Sequence, residues 1–288
     1  MKRAKQSFGG GWTEKKLESV RQYLIGYRTA LKNTPFKTAY IDAFAGTGYR
    51  TTLANNEPES LLFPEMDSFL DGSARIALQV EPRFHKYIFI EKDPNRFAEL
   101  QKLKEEFPHL AEDIKLENKD ANSFLKGLCQ GPSWKNHRAV LFLDPFGMQV
   151  TWDTIEAIGQ TQAIDLWLLF PLGVAVNRIL TKSGRISPTW RNKLDEMFGA
   201  SDWYDVFYRK SKTQNLFGEE EVTEKIGDFD SISQYFVNRL NTVFAGVAPN
   251  PLPLYNSRKN PIFVLCFAVG NPKGKYPALR IARHILEK

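Results

Sequence analysis

The chain has 288 residues, 42% of them hydrophobic and 25% charged, with a formal net charge of +6. That balance is ordinary for one α/β domain with insertions, and a core of this size needs neither disulfides nor a structural metal. No apolar run reaches the roughly 18 residues of a membrane span, and the basic N-terminus, MKRAKQSFGGGW, lacks the apolar segment of a signal peptide, so a cytoplasmic location is expected.

In chain order, the three- and four-residue spacing of Leu17, Val20, Tyr23, Leu24, Tyr27 and Leu31 predicts a helix from Thr13 to Lys32, with Thr13 placed to cap it. Thr38 to Phe44 predicts a short buried strand. Residues 49–71, around the Pro-, Glu- and Ser-rich stretch Asn55 to Phe69, read as an insertion, either a lid or a plain surface loop. Ser73 to Gln79 predicts a helix. Tyr87 to Ile90 predicts a second strand, followed by a helix opened by Asp93 and Pro94. Strands are expected again at Ile114 to Glu117, Ala139 to Leu143 and Ile164 to Phe170, with helices at Ala121 to Leu128 and Trp152 to Thr161 between them. Short apolar strands alternating with helices predict a mainly parallel sheet covered on both faces.

Beyond Pro171 the pattern changes. Residues 178–212 hold eight basic and four acidic side chains, interleaved with Trp190, Phe198, Trp203, Tyr204, Phe207 and Tyr208. An acidic stretch, Glu219 to Asp230, follows. We expect a helical insertion over 178–232, then a helix at Ser233 to Phe244, strands at Leu252 to Asn256 and Ile262 to Val269, and a closing helix at Pro277 to Leu286. Cys129 and Cys266 lie far apart in or near apolar runs and read as buried free thiols. His85, His109, His137 and His284 are scattered, so no metal site is expected.

In an open parallel sheet, ligands bind beyond the carboxyl ends of the strands. The first strand ends in Asp42-Ala43-Phe44-Ala45-Gly46-Thr47-Gly48, the second in Glu91, the third in Asp120 beside Ala121 and the fourth in Asp144-Pro145-Phe146-Gly147. Glycines let the backbone turn tightly and approach a ligand. An acid after the second strand can accept both hydroxyls of a ribose, and one after the third can accept an adenine amine. Position 51 is threonine where a dinucleotide site would carry a third glycine, and Asp42 disfavours a pyrophosphate. A ligand with a ribose, an adenine and a positive charge fits better, and S-adenosylmethionine has all three. Taken alone, Asp93 and Asp120 also suit plain helix caps.

Asp144-Pro145-Phe146-Gly147 resembles the D/N/S-P-P-Y/F motif of enzymes that methylate amino groups on bases, and more closely the D-P-F-G of tRNA guanine-N2 dimethyltransferases. An exocyclic amine is a weak nucleophile because its lone pair is delocalised. Asp144 and the Pro145 carbonyl can accept its two N–H bonds as the nitrogen becomes tetrahedral, and Phe146 can stack on the base. The net positive charge fits a nucleic-acid partner, or equally a solvated basic surface. Arg50 is a candidate for the methionine carboxylate or a phosphate, or a plain surface residue. Trp190, Arg191 and Lys193 are the candidate substrate contacts in the insertion. The competing reading gives most of its aromatics to a small core of their own.

WTEKKLESVRQYLIGY, YIDAFAGTGYR, FIEKD, LFLDPFGMQVTWDTI and SRKNPIFVLCFAVGNPKG together resemble the three-Cys-motif partner (TcmP) family over nearly the full length. The resemblance implies a bacterial or phage-linked protein on a methyltransferase-like scaffold. It also implies a possible partner protein with a cysteine motif, similar to radical S-adenosylmethionine proteins. The expectation is one domain over 1–288, with a Rossmann-like class I S-adenosylmethionine-dependent methyltransferase fold. Its sheet is mostly parallel and seven-stranded, with a final antiparallel strand. Asp42, Phe44, Gly46 and Gly48 are expected at the methionine end of the cofactor, Glu91 at the ribose, and Asp120 with Ala121 at the adenine. Asp144, Pro145 and Phe146 would hold the target amine. The rival expectation is a non-catalytic partner or regulatory protein that binds nucleic acid or the cysteine-motif protein.

Overall fold

A computed structural model describes residues 11–46, 72–131, 134–215 and 218–287. Helix α1 (Gly11–Leu31) leads into β1 (Lys37–Asp42). After α2 (Ser73–Leu78), the chain alternates β2 (Lys86–Ile90), α3 (Pro94–Leu100), β3 (Ile114–Glu117), α4 (Ala121–Gln130), β4 (His137–Leu143), α5 (Trp152–Gln160) and β5 (Ile164–Phe170). β1 pairs in parallel with β2 on one side and β4 on the other, β3 adds outside β2, and β5 adds outside β4. The order 3-2-1-4-5 reverses direction at β1 and β4, which opens a crevice at their carboxyl ends.

The final strand, β10 (Pro261–Val269), lies antiparallel beside β5. Both β8 (Gly246–Val247) and β9 (Leu252–Tyr255) pair antiparallel with β10, so they run parallel to β5. They share one sheet position. β9 covers Pro261 to Leu265 and β8 covers Ala268 and Val269, which gives an eight-stranded sheet where seven were expected. This order, with its one reversed strand, is the Rossmann-like class I methyltransferase fold. α1 packs along the closing helix α9 (Lys275–Leu286), and α4 along α5. The α1 tyrosines anchor the first helix to the sheet: Tyr23 meets the ring of Trp167 edge-on at 5.4 Å and that of Phe267 at 4.7 Å.

Residues 178–232 are not purely helical. Helices α6 (Pro188–Phe198) and α7 (Trp203–Phe207) are followed by an antiparallel hairpin, β6 (Tyr208–Asn215) with β7 (Gly218–Lys225), before α8 (Phe229–Asn241). The hairpin sets a basic strand against an acidic one, with Lys210 paired to Glu221 at 3.6 Å and Lys212 to Glu219 at 3.2 Å. Phe198, Trp203 and Phe207 are fully buried. They form no separate core. Phe198 lies 6.2 Å from Phe170 of β5 and 6.4 Å from Phe236 of α8, and those two stack at 4.2 Å. Thr13 does not cap α1, because the helix already runs from Gly11, and its buried hydroxyl has no partner among the described residues. Cys266 is buried and Cys129 half-buried, and burial pushes both thiols up to about 12. Among the described residues, no cluster of side chains suits a metal, and no helix is long and apolar enough to cross a membrane.

Candidate functional site

The segment after β1 crosses the carboxyl ends of its neighbours. Ala43 N–H donates to Phe142 O of β4 at 3.3 Å, and Ala45 N–H to Ile90 O of β2 at 3.0 Å. Gly46 then turns at φ +62, a conformation that costs a side-chain-bearing residue about 1 kcal/mol or more. Its N–H donates to Glu91 Oε2 at 3.0 Å, while Glu91 Oε1 accepts from Asp93 N–H at 2.8 Å. Glu91 is thus oriented by two backbone donors and keeps lone pairs on both oxygens. Burial raises its pKa, and those two N–H groups oppose the rise.

Asp42 is completely buried. Its Oδ2 accepts from the Ser73 hydroxyl at 2.6 Å, and its Oδ1 from Phe44 N–H at 3.3 Å. Burial pushes its carboxyl up to about 7. The Ser73 and Phe44 hydrogen bonds oppose that rise, Asp144 adds to it, and Lys16 opposes it. Asp42, Asp144 and Lys16 therefore form one electrostatic unit across the ends of β1 and β4.

Asp144 is buried, and the Lys16 ammonium donates to its Oδ2. Lys16 is 1% exposed and comes from α1, far away in sequence. Its ammonium lies 5.4 Å from the Trp12 ring and 5.8 Å from the Phe142 ring, a setting in which aromatic faces replace water around the cation. Sequence reasoning missed this lysine. The available signal was its place four residues after Trp12 and four before Val20, on the apolar stripe of α1. Pro145 is buried and Phe146 half-buried, and Gly147 turns the chain at φ +66. Phe146 N–H donates to Gln149 Oε1 at 3.2 Å. Gln149 O accepts from Asn122 Nδ2 at 2.7 Å, and Asn122 Oδ1 accepts from Thr151 N–H and the Thr154 hydroxyl. The motif loop is thereby tied to the first turn of α4.

Asp120 caps α4 through Ser123 N–H at 3.1 Å, and Asp93 caps α3 through Arg96 N–H. The Asp120 side chain is 43% exposed and lies 3.6 Å from Lys92, so its cap role leaves one oxygen at the surface. Ala121 is buried. Asp42, Glu91 and Asp144 gather at the carboxyl ends of adjacent strands, with Asp120 at the end of β3. Gly48, Arg50 and the 49–71 insertion lie outside the described residues. Trp190 packs partly against the core. The Arg191 guanidinium sits 4.5 Å from the Tyr204 ring, so part of the expected platform contacts its own insertion. Lys193 is half-buried.

No family model matches the sequence, and neither does any curated protein sequence. Solved structures with a similar arrangement include a Legionella pneumophila protein with 17% identity over 82% of this chain and 93% of that one, at a TM-score of 0.41. Spermidine synthase from Thermotoga maritima shares 11% identity over 93% of this chain and 62% of its own, at 0.40. Magnesium protoporphyrin IX methyltransferase from Synechocystis, solved with bound S-adenosylmethionine, shares 14% over 74% and 78%, at 0.31. At such scores the fold rests on the strand order, which stands without them.

Proposed function

We propose that this protein is an S-adenosylmethionine-dependent methyltransferase acting on an exocyclic amino group of a nucleic-acid base, within the three-Cys-motif partner family. The observation that carries the reading is the placement of Asp144-Pro145-Phe146 at the end of β4, directly beside the turn that Gly46 and Glu91 form at the ends of β1 and β2. Glu91 would hold the ribose through its free lone pairs, Asp120 the adenine amine, and Asp42 with Phe44, Gly46 and Gly48 the methionine end. Bound there, S-adenosylmethionine supplies an electrophilic methyl group.

The chain's own residues do the rest. Lys16 holds the Asp144 carboxyl group in one orientation, so that it accepts an N–H from the target amine. The Pro145 carbonyl accepts the second N–H. These two contacts strengthen as the nitrogen loses conjugation and gains positive charge, which favours the transition state over the ground state. Phe146 offers its half-buried ring to the base, a contact worth about 1–3 kcal/mol. Arg50 and the Trp190, Arg191 and Lys193 surface would contact the nucleic-acid backbone.

One observation favours a second reading. Lys16 already occupies one oxygen of Asp144, as a substrate amine would. A non-catalytic protein that binds nucleic acid or a cysteine-motif partner could keep the pair only for stability. Calorimetry with S-adenosylmethionine and S-adenosylhomocysteine, for the native chain and Glu91→Ala, tests the cofactor site. Transfer of labelled methyl to tRNA, rRNA and DNA, for the native chain and Asp144→Asn, tests the chemistry. Binding lost in Glu91→Ala and transfer lost in Asp144→Asn support the enzyme. A folded protein that binds neither ligand is the partner protein.

A further inference from the structure

At the opposite end of the sheet, a cavity of about 970 Å³ opens between the start of β1, the start of β2 and the residues leading into β4. Lys37 at its rim and Asp42 bound the same strand, so about 17 Å of β1 separates the cavity from the candidate methyl-transfer site. Its floor is apolar, formed by Ala39, Ile88 and Leu128, with the half-buried Trp134 on its wall. Its lining is cationic. Arg28, Lys37, Arg83, Lys86 and Arg138 line it against only two carboxylates, Glu81 and Asp113. Asp113 serves both Arg83, at 3.3 Å, and Lys86, at 3.1 Å.

The remaining cations make no direct ion pair among the described residues, although the field of Arg138 reaches Asp165. Arg28 is 5% exposed, and its Nε donates to the carbonyls of Pro82 and Arg83 at 3.2 and 2.8 Å. The Arg138 guanidinium lies over the Phe36 ring at 3.9 Å and donates to backbone carbonyls. Three lining side chains each keep a buried N–H without an acceptor among the described residues: Arg28 Nη1, Arg138 Nε and Trp134 Nε1. An unmade hydrogen bond of this kind costs about 1–3 kcal/mol, and these three lie in the wall behind the exposed lining, where Lys37 offers the open cation. His85 reports the local field. Burial and then Arg28, Lys37 and Arg83 push its pKa down, and its Nδ1 accepts from Thr38 N–H at 3.1 Å.

We propose that this cavity binds a 5′-nucleoside phosphate, with the base on the apolar floor beside Trp134 and the phosphate among the lining cations. The volume lies within the range of small-molecule sites and exceeds what a bare anion needs. Arginine forks match phosphate oxygens two at a time, and an indole face stacks on any base. The unit can come from a free mononucleotide or from the 5′-phosphorylated end of a strand.

The test is calorimetric titration of the full chain with the four nucleoside 5′-monophosphates, the matching nucleosides, and a single-stranded tetranucleotide with and without its 5′-phosphate. Monophosphates are expected to bind about tenfold or more tighter than nucleosides. Lys37→Glu and Arg138→Gln are expected to weaken them about tenfold without moving the melting temperature of Lys37→Glu. Glu91→Ala, at the other end of the sheet, should leave the affinity unchanged. Binding of the phosphorylated tetranucleotide as well assigns the site to strand ends, and binding of mononucleotides alone assigns it to the free molecule. Equal affinity for nucleosides, loss of binding in Glu91→Ala but not in Lys37→Glu, or no binding at millimolar concentration overturns the proposal.

Discussion

Lys16 and Asp144 meet inside the protein across 128 residues of sequence. Among the described residues each is the other's ion-pair partner, and the Trp12 and Phe142 rings flank the ammonium. Lys16→Met leaves a buried carboxylate unpaired, and Asp144→Leu leaves a buried ammonium; removal of one partner of such a pair typically costs about 3–5 kcal/mol. Each single variant is expected to melt well below the native chain, while Lys16→Met with Asp144→Leu recovers most of the loss. Thermal denaturation of the four proteins measures this coupling, and additive losses would refute it. Methyl transfer is expected to be absent from all three variants.

Asp42 and Asp165 contribute to the pH dependence of stability, in the same direction as Glu91. Asp165 is buried in β5, accepts from Tyr23 OH at 2.8 Å and Gly270 N–H at 3.1 Å, and is pushed up by burial to about 6. Asp42 is pushed up to about 7. Both hold a proton more tightly in the folded chain than an unfolded aspartate does near pH 4. Their protonated forms therefore stabilise the fold fully below about pH 4, and that contribution is lost as pH rises through about 6 and 7. Asp165→Asn and Asp42→Asn are expected to flatten the fall in melting temperature between pH 5 and 8, measured against the native chain. An unchanged slope in both would show that these carboxyls ionise normally.

Asn122 positions the motif loop without reaching a substrate. Its four hydrogen bonds tie Gln149, Thr151 and Thr154 to α4, and Gln149 holds the Phe146 N–H. Asn122→Ala is expected to cost about 2 kcal/mol of stability and to lower methyl transfer through turnover rather than cofactor affinity. Calorimetric binding of S-adenosylhomocysteine at native strength beside slowed transfer is the expected pairing. A variant with unchanged turnover would make Asn122 merely structural.

The β6–β7 hairpin neutralises its own basic strand. Exposed pairs such as Lys212–Glu219 contribute between zero and about 1 kcal/mol, so Glu219→Gln with Glu221→Gln should barely change the melting temperature. The freed lysines are expected to raise RNA affinity and steepen its fall with salt. Filter binding at two salt concentrations reads both, and an unchanged slope would remove the hairpin from the nucleic-acid surface.

Legibility in the sequence tracked burial. β2, β4 and β5 hold long apolar runs and stood out; β3, Ile-Lys-Leu-Glu, alternates, and β3 and β5 were placed to the residue. Asp93 and Asp120 announced their helices through local hydrogen bonds to backbone. The β6–β7 hairpin did not stand out, because YRKSKTQN and GEEEVTEK hold little apolar side chain beyond the buried Tyr208; a backbone ladder joins them, and in sequence they look like a basic run followed by an acidic one. Lys16 was hidden for the converse reason. Within TEKKLES a charge reads as solvated, and only the distant Asp144 makes it a core residue.

The position of β10 bears on how the chain is made. β5 is buried on both faces and apolar except for Asp165, and among the described residues its outer edge is covered by Val264 to Ala268. Until those last residues leave the ribosome, Ile164 to Phe170 presents an unpaired, hydrophobic strand edge, the kind of surface that recruits other chains. A stop codon placed before Pro261 would therefore yield a sticky intermediate, not a smaller version of the same protein, and the fraction recovered in the pellet after expression would show it.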